Sequence, residues 1–98
     1  MKKILFKTSN KNYWVYENGV IFDEDGTETK DIYENNNHYF LKGYAVHRIV
    51  YQLFKGDIPL GFTCHHINTC PKDNRASNLI LILNEDHAKL HGDINRNP

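Results

Sequence analysis

The sequence predicts an α+β fold: an N-terminal antiparallel β-meander, one core helix, and a C-terminal unit of two strands and a helix. Three observations carry this. Short aromatic and β-branched runs alternate with strong turn signals over the first forty-odd residues. The apolar period then becomes helical between Tyr44 and Lys55, and two further apolar runs precede a capped amphipathic segment. The 98 residues suffice for one domain with a modest core. Within it, residues 1–43 form the β-rich part, 44–92 the helix and the strand-strand-helix unit, and 93–98 a disordered tail.

Taken in order, the runs 13–16 (YWVY) and 20–22 (VIF) flank Glu17-Asn18-Gly19, whose Asn-Gly suits a tight primed turn. The acidic run 23–26 (DEDG) is a second turn, and 33–41 (YENNNHYFL) reads as a hairpin folded about its asparagines. About four short strands result. Trp14 and Tyr16 share a strand face, which reads as core rather than as a platform for stacking bases. Val46, Ile49, Val50 and Leu53 recur at helical spacing, and Gly56 closes the pattern. A turn at Pro59-Leu60-Gly61 leads into a strand from Phe62 to His66. A polar loop runs through Asn78, and the apolar run 79–83 (LILIL) is the second strand. Asn84 caps a short helix with Glu85 and Asp86 in its first turn, where carboxylates favour the helix dipole, and Gly92 ends it.

Composition excludes several classes. Twelve basic and twelve acidic residues cancel, so no global field recruits a polyanion or an acidic membrane surface. The opening MKKILFKTSN holds only three consecutive apolar residues, too few for a signal core or a membrane span, so a cytoplasmic location is expected. Two cysteines are too few for a disulfide scaffold and read as small apolar fillers.

The chemistry concentrates in residues 63–70 (TCHHINTC) and in the last helix. Adjacent residues on a strand point to opposite faces, so His65 and His66 have two different jobs. His87 and His91, spaced i, i+4, stack on one helical face and can grip one ion. A third ligand from the facing strand, His65 or His66, would complete a site with open positions. One histidine then faces the metal and its neighbour the substrate.

The order 64–68 (CHHIN), 73–79 (DNRASNL) and 87–91 (HAKLH) resembles the HNH nucleases, the family of the ββα-metal finger found in colicin-type DNases and in phage and intron-encoded endonucleases. The likeness runs from about Gly61 to Gly92, and 46–54 (VHRIVYQLF) is similar to the helix that leads into the motif in phage and homing-type members. The resemblance implies a general base at His66, metal ligands at His65, His87 and His91, and an asparagine at Asn78 that orders the loop. Phage and homing-type members often carry aspartate or asparagine in place of His65 and asparagine in place of a helical histidine, so the ligand set here resembles the colicin type. The implied cofactor is one divalent ion: zinc, nickel, manganese or magnesium. Imidazole-rich sites favour the transition metals. The implied reaction is hydrolysis of DNA phosphodiesters, by nicking or double-strand cleavage, leaving 3′-OH and 5′-phosphate ends. It needs an activated water, a cation on the developing phosphorane charge and help for the departing oxygen, and neutral imidazole takes a proton from water near neutrality.

Other readings compete. Lys72 and Arg75 are candidates for DNA phosphate contacts, with Lys89 a weaker one, but Asp73 and Arg75 could equally tie the loop internally. His38 and His47 read as ordinary structural histidines, and Asn68 and Asn74 as loop formers. The rival from another class is a structural zinc module built from Cys64, Cys70, His87 and His91, a non-catalytic nucleic-acid or protein adaptor. Its spacing is poor: five residues separate the cysteines and sixteen intervene before His87, against two to four and about twelve in zinc fingers. The expected partner is DNA, held weakly and with low sequence specificity and without a membrane, by a homodimer or part of a larger complex, in the host cytosol if the chain is phage-encoded.

Overall fold

The computed structural model describes residues 1–84. The expected final helix with His87, Lys89 and His91, and the expected tail 93–98, lie outside the described residues. Within them the fold is α+β, with antiparallel strands in small sheets and a single helix.

The β-rich part divides into two three-stranded sheets rather than one meander. In the first, β1 (Lys3–Lys7), β2 (Asn12–Tyr16) and β3 (Ile21–Asp23) pair in that order. The second orders β4 (Ile32–Asn35), β5 (His38–Leu41) and β6 (Tyr44–Ala45). At the acidic turn the Asp25 carboxylate accepts the Thr27 N–H at 3.0 Å and the chain folds back on β3, with Glu28 bridged to Phe22 and the Thr29 N–H donating to the Ile21 carbonyl at 3.0 Å, so the break falls after Thr29. Residues 24–26 are exposed and supply no apolar side chain to continue a strand. β1 is an addition to the expected elements: Ile4, Leu5 and Phe6 form an edge strand on β2.

On β2, Tyr13 and Val15 are the core residues, each 0 % exposed, so the alternation of the strand leaves Trp14 and Tyr16 on the outer face. The expectation that this pair is core is therefore wrong by one residue of register. Lys3 Nζ sits 4.4 Å from the Trp14 ring centroid, and Tyr16 packs edge-on to Phe22. The β4–β5 hairpin turns at Asn36 and Asn37, both at positive φ (51° and 65°), a conformation asparagine tolerates.

The helix α1 (Val46–Phe54) begins two residues later than the pattern suggested, because Tyr44 and Ala45 pair with Leu41 and Phe40 as β6. It has no side-chain cap at its N-terminus. Packing holds it instead: Val46, Ile49 and Val50 join Tyr13, Val15, Leu41 and Leu79 in one core. Each such side chain contributes about 1.5–3 kcal/mol on burial. At its C-terminal end Lys55 Nζ donates to the Leu79 carbonyl at 2.7 Å, which fastens α1 to the ladder of β7 (Phe62–His66) and β8 (Leu79–Leu83). That ladder is antiparallel, with Cys64 opposite Leu81, His65 opposite Ile80 and His66 opposite Leu79.

Candidate active site

The two histidines of the doublet occupy opposite faces of β7. Cys64 and His66 share the face of buried Leu79, while His65 shares the other with Ile80, which is 46 % exposed. On the inner face His66 meets two imidazoles from other elements. His47 of α1 lies 4.9 Å away between ring centroids, and His38 of β5 lies 6.1 Å away. His38 and His47 are themselves 5.8 Å apart, so sheet, helix and ladder each deliver one ring to a single cluster. Burial pushes the His47 pKa down to about 4, with further lowering from His66, His38, Arg48 and His65, and its ring is neutral at physiological pH. The His38 Nδ1 lies 2.9 Å from the Asn36 carbonyl and donates to it.

The loop between β7 and β8 is ordered by its own polar side chains. Asn78, 6 % exposed, accepts the Asn68 N–H through Oδ1 at 3.1 Å. Through Nδ2 it donates to Asn68 Oδ1 at 2.9 Å and to the Asp73 carbonyl at 2.8 Å. Arg75 forks onto Asp73 with Nε and a terminal nitrogen at 2.8 and 2.7 Å, and this guanidinium holds the Asp73 carboxyl well below the usual range. Lys72 pairs with Glu34 of β4 at 3.0 Å. Both candidate phosphate cations in this loop are thus held by carboxylates, one of them across to the second sheet.

Between Asp73 and Arg75 sits Asn74, 5 % exposed, whose Oδ1 lies 2.7 Å from His66 Nε2. An amide oxygen only accepts, so the ring nitrogen is the donor. The other side of Asn74 abuts the β2–β3 turn. A Cβ added to Gly19, at φ +88°, would lie 2.7 Å from the Asn74 carbonyl oxygen. The Ala76 N–H also donates to the Glu17 carbonyl at 2.8 Å. A cleft of about 360 Å³ opens beside this contact, lined by Asn18, Gly19, Tyr39, Lys72 and Asn74 among others but by no histidine.

Of the candidate metal ligands, the described residues include only His65, and no group of three histidines, cysteines or carboxylates among them is disposed to hold an ion. His65 itself is a half-buried imidazole on the ladder face opposite the His38–His47–His66 cluster, a donor type that suits transition ions. The cysteines do not resemble a zinc pair. Cys64 is 4 % exposed with its Sγ 3.9 Å from the His47 carbonyl, and burial pushes its thiol up to about 11, away from the thiolate a metal needs. Cys70 is exposed in the loop.

Three residues of this cluster escape the sequence pattern. His38 and His47 come from elements distant in sequence, and Asn74 looks like any loop asparagine. The packing of α1 and the second sheet on β7 brings His47 and His38 to His66, and the fold of the β7–β8 loop brings Asn74.

Comparison with known proteins follows the same residues. The HNH endonuclease family model matches residues 44–89, from the start of β6 past the end of β8. Among solved structures, the HNH homing endonuclease I-HmuI, from a study of its DNA binding and cleavage, superposes with a TM-score of 0.70 at 20% identity. The superposition covers 98% of this chain and 62% of that one. At this identity the likeness is one of fold, and it includes both N-terminal sheets. No curated protein matches the chain significantly.

Proposed function

We propose, from the match of residues 44–89 to the HNH endonuclease family model, that the protein is a metal-dependent endonuclease that hydrolyses DNA phosphodiester bonds to 3′-OH and 5′-phosphate ends. The observation that supports it most is that the matched segment presents His66 on a rigid ladder with one ring nitrogen already engaged by Asn74.

In this reading His66 is the general base: its remaining ring nitrogen takes a proton from the attacking water. His65, His87 and His91 would hold one divalent ion, zinc, nickel, manganese or magnesium, which supplies charge for the phosphorane and for the departing 3′ oxygen. His65 and His66 serve these separate tasks because adjacent strand residues face opposite ways. Asn78 holds the intervening loop in register through its three hydrogen bonds. Lys72, Arg75 and Lys89 meet phosphates, the first two in competition with Glu34 and Asp73. No helix among the described residues is long and apolar enough to cross a membrane; a cytoplasmic location belongs to the same reading. Assembly as a homodimer or within a larger complex belongs to the same reading.

The test is incubation of supercoiled plasmid with the purified protein and each of the four metals. His66→Ala should keep fold and ion but lose cleavage by roughly 10²-fold or more. His65→Ala should weaken the ion first. The combined Cys64→Ala and Cys70→Ala variant should bind zinc as the parent does; loss of the ion there would favour the structural-zinc alternative.

A further inference from the structure

We propose that Asn74 is the positioning residue for His66, fixing the tautomer in which Nε2 carries the proton and Nδ1 is the base, and that the Gly19 turn of the first sheet clamps Asn74 in place. The inference rests on the nuclease reading for its catalytic meaning, but its structural content is independent of it.

Neutral imidazole has two tautomers, and only the one whose lone pair faces the water can act as base. A partner on the opposite nitrogen chooses between them. The Asn74 amide oxygen, 2.7 Å from Nε2, accepts from that nitrogen, and so leaves the lone pair on Nδ1. Choice of tautomer requires the amide to stay where it is, and its surroundings enforce this. The neighbouring Asp73 and Arg75 are locked by a two-point ion pair, and the Asp73 carbonyl is held by Asn78 Nδ2 at 2.8 Å. Beyond Asn74 the Ala76 N–H is tied to Glu17 at 2.8 Å. Gly19 closes the remaining side: any Cβ there meets the Asn74 carbonyl oxygen and carbon at 2.7 and 2.8 Å, both backbone atoms that cannot swing aside. The first sheet therefore reaches the base through one turn and one amide, although it contributes no histidine to the cluster.

The experiment has two independent readouts on the full chain. Nitrogen-15 spectra of the histidine rings, with His66 assigned by comparison with His66→Gln, report the tautomer at pH about 8.5, well above an ordinary histidine pKa of about 6.5. Plasmid cleavage with saturating manganese, zinc, nickel or magnesium reports kcat and KM. The parent should show protonated Nε2 and bare Nδ1; a proton on Nδ1 would overturn the assignment without recourse to any variant. Asn74→Ala should lose the single tautomer and drop kcat about 10-fold to 100-fold with KM little changed, the scale of losing a supporting hydrogen bond. Asn74→Asp, whose carboxylate still accepts from Nε2, should keep the tautomer. Gly19→Ala should resemble Asn74→Ala in both readouts, and a melting curve confirms that it is folded. Unchanged kcat and tautomer in Asn74→Ala would defeat the proposal. Absence of cleavage by the parent with every metal would instead defeat the nuclease reading, and the ring spectra would still decide the role of Asn74.

Discussion

His47 sits in an environment that disfavours its charged form. It is half-buried between β7 and the second sheet, faced by His66, His38 and His65 and next to Arg48, with no carboxylate among the groups that shift it. Every one of these neighbours opposes a positive charge on it, and burial opposes it further, which is why its pKa falls to about 4. In the unfolded chain the same ring titrates near 6.5. Between these values the unfolded state binds the extra proton, so the native state loses stability as pH falls from about 6.5 towards 4 and loses no more from this group below that. The carboxylates held low by partners, Asp31 by Tyr13 and Lys11 and Asp73 by Arg75, act in a separate window: their stabilisation is present above about 3.8 and disappears only in stronger acid. Melting temperature against pH separates the two. His47→Gln should flatten the decline between about 6.5 and 4 while leaving the steeper acid limb intact; an identical profile in both proteins would mean that His47 is not buried as a neutral ring.

Among the elements, the β7–β8 loop is held by polar side chains. Its conformation depends on side-chain amides taking the part of missing backbone partners, and Asn78 alone makes three such bonds from a site 6 % exposed. Asn78→Ala would remove the partner of the Asn68 N–H, on an exposed residue that water can reach, and of the part-buried Asp73 carbonyl, and a buried group left unpaired costs about 1–3 kcal/mol. Urea denaturation should show a loss of that order, and a variant as stable as the parent would show that the loop is held by the Asp73–Arg75 pair instead. What the sequence discloses follows the range of the forces involved. α1, β7 and β8 announce themselves because their signals are local: an apolar stripe at helical spacing, a strand bounded by a glycine turn, the run 79–83. The break between the two N-terminal sheets is less legible, since nothing local distinguishes a turn within a sheet from one that ends it. The shift of Trp14 and Tyr16 to the outer face is invisible for another reason: a strand with aromatic residues on both faces has no polar side to mark its register. Asn74 and His47 are least legible of all, because their partners lie eight or more residues away and meet only in the packed molecule.

At the scale of the whole molecule, charge decides what kind of DNA contact the protein can make. Its formal charge is zero, and the two cations of the β7–β8 loop are already occupied, Lys72 by Glu34 at 3.0 Å and Arg75 by Asp73 at 2.7 Å. A phosphate arriving at either must displace a carboxylate, so the electrostatic gain per contact is smaller than for free lysine or arginine. The chain spans 62% of the length of I-HmuI. On the proposed function, about three phosphates, those reached by Lys72, Arg75 and Lys89, set the affinity. Binding to duplex DNA should then be weak and fall with salt along a log-log slope near −3. Lys72→Ala or Arg75→Ala should each bring that slope closer to zero by about 1, and weaken binding to all sequences alike, as expected of contacts that hold the backbone and read no bases. Fluorescence anisotropy with His66→Ala, which binds without cutting, gives the slope directly. Nanomolar, sequence-selective binding that survives high salt would require a recognition surface that these three cations do not provide, and would overturn the view of a sparsely charged, low-specificity nuclease.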